Sequence, residues 1–184
     1  MLAIAFKEWA VICRALAQGR QSLILRKGGI AEAQGQFRVE HDRFWLFPTY
    51  LHQHEAGVIP AAHPLLAETV RTQPPTEQVL LTSFVEVTNI FHLDTEAKAL
   101  ALADLHLWSE ATVRQRFHYR QPGLFVLGVR VYNVPTPHQV MMTPYYEGCK
   151  SWVTLAEPLP MGEAVPAIPQ QTHQERMKML HQRM

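Results

Sequence analysis

Cysteine is scarce in this sequence, since only Cys13 and Cys149 occur among 184 residues. Two cysteines exclude the dense disulfide framework of a small secreted domain. Neither stands in a CxxC or a mixed Cys/His spacing of the kind that predicts a zinc site. We therefore expect a protein of a reducing compartment, the cytoplasm.

Long apolar runs and a strong net charge are also missing. No stretch reaches the roughly 18 apolar residues that a membrane helix needs. The N-terminus lacks the basic start and clean apolar run of a signal peptide, because Lys7 and Glu8 interrupt it. The formal net charge is +1, so no global field favours a nucleic acid or a membrane. With 47% hydrophobic residues, the length suits one globular domain with its own core.

The motifs of common catalytic sites are absent as well. There is no GxSxG, no phosphate-binding Walker loop, no GxGxxG and no HExxH. No catalytic residue, metal site or cofactor is predicted. Two weaker patterns keep an enzyme open as an alternative. His52 and His54 would share one face of a strand, and Cys149 precedes Lys150, whose charge would lower the pKa of the thiol.

The hydrophobic pattern predicts one helix and then mostly strands. A helix over residues 2–18 would place Leu2, Phe6, Trp9, Cys13 and Leu16 on one face. The other predicted elements are strands over 21–26, 78–92, 124–134 and 150–156, a strand pair over 36–50, and helices over 96–106 and 110–119, which begin at Asp94 or Thr95 and at Ser109. Strands and helices do not alternate regularly, which disfavours a doubly wound sheet. We predict an α+β fold, a small mixed or antiparallel β-barrel with an N-terminal helix and a helical insertion before the last strands.

The C-terminal part of the chain differs in composition from the rest. Residues 1–157 are predicted to form a single globular domain. Residues 158–184 are predicted to be a Pro-rich linker and a polar tail, partly disordered or forming a marginal helix. Met177, Leu180 and Met184 form a stripe in that tail, so docking of a protein partner through 158–184 is one interpretation.

The segment GRQSLILRKGG, residues 19–29, runs an apolar strand directly into two cations. Arg26 ends that strand, and a guanidinium is costly to bury alone, so we expect it to pair with an acid, bind a ligand or reach solvent. Arginine binds phosphate through paired hydrogen bonds and stacks on bases, and aromatic rings also stack on bases. Trp152 would then stack on a base, or alternatively belong to the hydrophobic core. Cations and aromatic side chains near predicted strand ends form the candidate nucleic-acid-binding set: Arg26, Lys27, Arg43, Tyr50, His52, Arg130, Lys150 and Trp152.

Four blocks of the sequence, in this order, resemble the bacterial family known as domain of unknown function 1802. They are FKEWAVICRALAQGRQSLILRKGGI, FRVEHDRFWLFPTYLHQ, LWSEATVRQRFHYRQPGLFVLGVRVY and GCKSW. The resemblance covers about residues 5–156. A suggested association of that family with restriction-modification systems implies, as an alternative, an enzyme acting on nucleic acid.

A more remote resemblance is to PUA-like barrels of the ASCH type. In these a helix ends in glycine and leads into a strand of the form G-x-K-[TS]-h-x-h-R. The matching positions are Gly19, Ser22, Leu23, Leu25 and Arg26, while Gln21 replaces the lysine. The resemblance implies a cleft beside this strand that binds RNA or modified nucleotides. Some members of this group are amidohydrolases that rely on the lysine of this motif. With Gln21 in its place, the resemblance implies that this chain lacks the general base of that activity.

These observations favour a binding module over an enzyme. We expect a cytoplasmic module that binds RNA, DNA or a nucleotide, with no cofactor, through a cleft at the end of the strand that carries Arg26. An enzyme acting on nucleic acid and a protein-interaction module that uses residues 158–184 remain the alternatives.

Overall fold

A computed structural model describes residues 1–28, 30–33, 36–148 and 150–184. Seven strands form one mixed sheet in the order β2-β7-β6-β5-β1-β8, with β9 paired to β7. Their bounds are β1 Leu2–Trp9, β2 Leu23–Arg26, β5 Arg43–Thr49, β6 Gln78–Leu93, β7 Leu124–Met141, β8 Trp152–Leu159 and β9 Val165–Pro166. A separate hairpin consists of β3 Ile30–Ala33 and β4 Gln36–Val39. The helices are α1 Ala10–Ala17, α2 His63–Arg71, α3 Glu96–Leu100, α4 Glu110–His118 and α5 Gln170–Gln182.

The predicted N-terminal helix is wrong in its first half. Residues Leu2–Trp9 form β1, and only Ala10–Ala17 are helical. The apolar spacing that predicts a helix is also compatible with a short buried strand, and such runs are ambiguous by periodicity alone. Pairing decides the outcome, because β1 lies between two neighbours, parallel to β5 and antiparallel to β8.

The predicted barrel is also wrong, because the sheet is open. Strands β2 and β8 are its two edges, and no ladder joins them within the described part of the chain. The α+β class and the helical insertion are confirmed, since α3 and α4 lie between β6 and β7. Their predicted caps are present: the Thr95 hydroxyl accepts from the Lys98 amide, and the Ser109 hydroxyl accepts from the Thr112 amide.

Both faces of the sheet carry a hydrophobic core. Along β5, Phe44 and Leu46 belong to one buried cluster, which also includes α1, while Trp45 and Phe47 belong to another. Alternate residues of a strand point to opposite faces. A continuous apolar run such as 44–47 therefore fits a central strand that is covered on both sides.

The C-terminal segment contains the end of β8, β9 and α5. Leu180 on α5 is only 1% exposed and packs into the first core cluster. Gly128 on β7 makes room for this helix, because a Cβ atom there would lie 2.6 Å from the Met177 sulfur. The domain boundary at 157 stays a prediction. Among the described helices, none combines the length and the apolar character needed to cross a membrane.

Candidate functional site

The sheet register separates Arg26 from two other predicted cations, Arg43 and Arg130. Arg26 pairs with Phe125 on β7, whereas Glu86 on β6 pairs with Arg130 on β7 and with Arg43 on β5. Phe125 and Arg130 are five positions apart on one strand, so their side chains point to opposite faces. Arg26 therefore lies on one face of the sheet, while Arg43 and Arg130 share the other.

Arg26 bridges the gap between the two edges of the sheet. Its guanidinium carbon lies 4.3 Å from the ring centroid of Phe6 on β1 and 5.0 Å from that of Trp152 on β8. Only 7% of the residue is exposed. Its Nε donates to the Gly28 carbonyl oxygen at 2.9 Å, but Nη1 is buried without a hydrogen-bond partner among the described residues. We call the three side chains Phe6, Arg26 and Trp152 the seam.

Trp152 is half-buried within an aromatic cluster. Its ring centroid lies 5.0 Å from that of Phe6, 4.7 Å from Phe44 and 5.2 Å from His41. Its indole nitrogen is buried and has no hydrogen-bond partner in the described part of the chain. The seam thus contains two unpartnered N–H donors held against aromatic rings.

Two further charged residues, Glu8 and Arg116, extend the charge behind the seam. Glu8 is 7% exposed, and its Oε1 accepts from the Trp9 amide at 2.8 Å. Arg116 Nη2 lies 4.0 Å from the same oxygen, and the Arg116 guanidinium lies 3.7 Å from the ring centroid of Trp108. We call Glu8, Arg26 and Arg116 the charge cluster.

Burial and mutual attraction act against each other on these three groups. Burial raises the pKa of the Glu8 carboxyl, while Arg116, the Trp9 amide and Arg26 act in the opposite direction. Burial lowers the pKa of Arg26 to about 10, against the opposing charges of Glu8 and the exposed Glu40. Burial also lowers the pKa of Arg116, opposed by Glu8. Arg26 is still a cation at neutral pH, so the seam presents a positive charge.

Lys27 has a different environment from its neighbour Arg26. Its ammonium group donates to the carbonyl oxygens of Phe117 at 2.8 Å and Gly123 at 2.7 Å, and to that of Gln121. An ammonium group has three hydrogens to donate. Lys27 therefore joins the end of β2 to the last turn of α4 and the loop that follows it, and its charge faces backbone carbonyls.

The remaining predicted residues are dispersed over the molecule. Arg43 Nη2 lies 2.7 Å from Glu86 Oε1, and Arg130 lies 5.5 Å from the Tyr132 ring centroid. Half-buried Tyr50 and exposed His52 follow β5, and burial raises the pKa of the Tyr50 hydroxyl. The Lys150 ammonium lies 4.8 Å from the Tyr145 ring centroid. Of the eight predicted residues, Arg26 and Trp152 are in direct contact.

The residues of the enzyme alternative, the cysteines and the histidines, are not gathered into a site among the described residues. Cys149 lies outside the described residues, and Cys13 is buried, which raises the pKa of its thiol well above the usual value. Exposed His54 contacts the Trp9 ring at 5.3 Å between centroids. The described residues contain no group of three His, Cys, Asp or Glu side chains that would hold a metal ion.

Sequence reasoning missed Glu8 and Arg116. Glu8 lies in the segment that was predicted to be helical, and a helix would not place it on the same face as Phe6. Read as a strand, positions 6 and 8 share one face. Arg116 lies on the helix over 110–119 that was predicted correctly, but no sequence signal distinguishes it from a solvent-exposed arginine.

Gln21 occupies the position where the ASCH-type pattern has lysine, and both polar atoms of its side-chain amide are hydrogen-bonded. The residue is 1% exposed. Its Nε2 donates to the Leu23 carbonyl oxygen at 2.9 Å, and its Oε1 accepts from the Leu107 amide at 3.1 Å. Gln21 therefore fastens the loop before α4 to β2.

Comparisons with known proteins give one family and one fold. The sequence model of a family described as "Domain of unknown function (DUF1802)" matches residues 5–179, beyond the predicted end of the resemblance near 156. No curated protein sequence matches the chain. A tyrosine-to-phenylalanine mutant of the ASCH protein from Zymomonas mobilis is similar in structure, with a TM-score of 0.50 at 12% identity over 84% of this chain and 90% of that one. This likeness shows a shared fold.

Two further solved structures of the same Zymomonas mobilis protein are similar to this chain. A serine-to-alanine mutant has a TM-score of 0.49 at 10% identity, and the protein described simply as ASCH has 0.48 at 11%. Each alignment covers 96% of this chain and 94% of the other.

Proposed function

We propose that this chain, which belongs to the family described as Domain of unknown function (DUF1802), is a module that binds a nucleic acid or a nucleotide at the seam. One observation carries the proposal. The Arg26 guanidinium is buried between the Phe6 and Trp152 rings, yet its Nη1 has no hydrogen-bond partner among the described residues.

A buried guanidinium with an unused N–H group is costly unless something else accepts that hydrogen bond. Phosphate oxygens are strong acceptors for arginine, and such charge-assisted bonds are about twice as strong as neutral ones. The unpartnered indole N–H of Trp152 is a second donor at the same place. The seam therefore suits an anionic ligand that is rich in acceptors.

Aromatic rings next to the cation favour a nucleotide over a simple anion. Base stacking on an aromatic side chain contributes about 1–3 kcal/mol per base. Trp152 and His41 lie together at the edge of the sheet, and both are half-buried. The fold shared with an ASCH protein agrees with this proposal, because the ASCH resemblance implies a cleft beside the strand that carries Arg26.

The proposal is tested by measuring the binding of short RNA, short DNA and dinucleotides to the full chain. The variant Arg26→Met removes the charge and keeps most of the apolar length. The control is Arg43→Met, because Arg43 is exposed, forms an ion pair with Glu86 and lies on the opposite face. Circular dichroism and thermal unfolding verify that both variants fold.

We expect Arg26→Met to lose about 1.5–3 kcal/mol of binding free energy, the value of a hydrogen bond to a charged group. That loss is at least about tenfold in affinity. Arg43→Met should stay within about twofold. Absence of binding to every probe, or equal losses in the two folded variants, would overturn the proposal.

A further inference from the structure

The charge cluster behind the seam contains two cations and one anion. Glu8 is its only buried acid, and the other carboxylate that acts on Arg26, that of Glu40, is exposed. We infer, resting on the proposed function, that one phosphate group of the bound nucleotide replaces Glu8 as the counter-ion of Arg26 and Arg116, and that Glu8 takes up a proton from solvent as this happens.

The two guanidinium groups of the charge cluster have unused hydrogen-bonding capacity. Glu8 Oε1 lies 4.0 Å from Arg116 Nη2, which is longer than a hydrogen bond, and the same oxygen is engaged by the Trp9 amide. Arg116 Nη1 has only a long bond of 3.4 Å to the Leu25 carbonyl oxygen, and Arg26 Nη1 has no partner among the described residues. One carboxylate thus leaves both guanidinium groups incompletely hydrogen-bonded.

The paired cations of the described surface offer little to a long nucleic-acid strand, which favours a single phosphate at the seam. A polymer is held by a series of unpaired cations, each facing one phosphate. Several cations of this surface already have carboxylate partners, in the pairs Arg14–Glu68, Arg43–Glu86, Lys98–Asp94, Arg114–Glu110 and Arg183–Asp104. Arg26 differs from these five cations, because it is buried and its Nη1 has no hydrogen-bond partner among the described residues.

Proton uptake follows from the surroundings of Glu8. The cations that face its carboxyl are Arg26 from β2 and Arg116 from α4, and both favour the charged form. Cys13 from α1 is a neutral thiol, whose Sγ lies 3.7 Å from the Glu8 carbonyl oxygen. When a phosphate neutralises the two guanidinium groups, burial acts on Glu8 with less opposition. Its neutral form is then favoured.

The test is isothermal titration calorimetry of the full chain near about pH 7, in two buffers of different ionisation enthalpy. The probe is a dinucleoside monophosphate with uracil bases, because its single phosphodiester does not titrate near neutral pH. The uncharged nucleoside uridine and a single-stranded oligouridine RNA serve as comparison ligands. The variants are Glu8→Gln, which mimics the protonated carboxyl, and the control Glu40→Gln, which removes the charge of an exposed carboxylate.

We expect wild type and Glu40→Gln to take up a measurable fraction of one proton for each dinucleotide bound. Glu8→Gln should show no proton uptake and should bind about tenfold more tightly, because the ligand no longer competes with a carboxylate. The slope of log affinity against log salt should be about −0.7 for the dinucleotide, and the longer RNA should not exceed it severalfold. If Glu8→Gln fails to fold, the wild-type affinity itself should rise as the pH falls from about 8 to about 6.

The outcomes separate this inference from the proposed function. Binding without proton uptake in wild type, or unchanged affinity in folded Glu8→Gln, overturns the inference and leaves the proposed function standing. A salt slope that grows with RNA length overturns the single-phosphate part. If neither the dinucleotide nor the RNA binds, the proposed function itself fails.

Discussion

Acid is expected to destabilise this protein through one buried imidazole, that of His106. The residue is 2% exposed, and its Nδ1 accepts from the Trp108 amide at 3.2 Å. Its Nε2 is buried without a hydrogen-bond partner among the described residues. Burial lowers the pKa of His106 from 6.5 to about 4, and the charge of Arg116 acts in the same direction.

The sign of the pH dependence follows from proton binding in the two states. Between about pH 6.5 and about pH 4, the unfolded chain binds this proton and the native protein does not. The neutral imidazole therefore contributes stability above about pH 6.5, which is lost as the pH falls toward about 4. About 2.5 pH units at about 1.4 kcal/mol each correspond to about 3 kcal/mol.

Urea unfolding at a series of pH values measures this contribution. The variant His106→Asn keeps an acceptor near the Trp108 amide but does not titrate. The difference in unfolding free energy between wild type and His106→Asn isolates the imidazole from other groups, such as Glu8, whose raised pKa acts with the opposite sign. The control is His118→Asn, because the His118 side chain is exposed and its Nε2 lies 2.5 Å from Glu96 Oε2.

We expect wild type to lose stability relative to His106→Asn by about 1.4 kcal/mol for each pH unit below about 6.5. His118→Asn retains the His106 imidazole and should therefore show the same loss relative to His106→Asn. Parallel curves for wild type and His106→Asn between about pH 6.5 and about pH 4.5 would refute the reasoning, because the native protein would then bind the proton as readily as the unfolded chain does.

Two further substitutions test the loop contacts of Lys27 and the packing of α5. Lys27→Met removes the ammonium group that donates to the carbonyl oxygens of Phe117 and Gly123. The variant should lower the free energy of unfolding by about 2 kcal/mol. A loss below about 0.5 kcal/mol in urea unfolding would contradict this structural role. Leu180→Ala should cost about 2–5 kcal/mol if α5 unfolds together with the sheet, whereas Met179→Ala, its exposed neighbour, should cost less than about 0.5 kcal/mol. Equal small effects in thermal unfolding would mean that α5 is not part of the cooperative unit.

Local signals predicted several elements correctly, although the helix predicted over 96–106 ends at Leu100 and the strands predicted to pair over 36–50, β4 and β5, do not pair with each other. The predicted strand over 78–92 corresponds to β6 Gln78–Leu93, because β-branched and aromatic residues dominate it. Thr95 and Ser109 begin their helices because their hydroxyl groups accept backbone N–H groups. In β1 the local signal fails, since pairing with β5 and β8 overrides a spacing that also fits a helix.

The site was predictable only where one residue contradicts its local environment. Arg26 ends an apolar strand, and that conflict alone marks it as paired or ligand-binding. Trp152 was predictable as an aromatic candidate near a strand end. Its contact with Arg26 was not, because that contact depends on how the two edges of the sheet approach each other. Glu8 and Arg116 have no such conflict in the sequence. Their proximity arises from packing between β1 and α4, which no periodicity encodes.

Gln21 connects these observations, because it ties the strand that carries Arg26 to the loop that carries His106 and Trp108. Its Oε1 accepts from the Leu107 amide, between those two residues, and the Trp108 ring supports the Arg116 guanidinium. A lysine at position 21 could not accept that hydrogen bond, since an ammonium group only donates. Gln21, which stands in place of the lysine of the ASCH-type pattern, thus positions the loop whose Trp108 ring packs against Arg116. On the proposed function, Gln21 thus holds in place the element that carries Arg26 and the ring that supports Arg116, two of the residues that would contact the ligand.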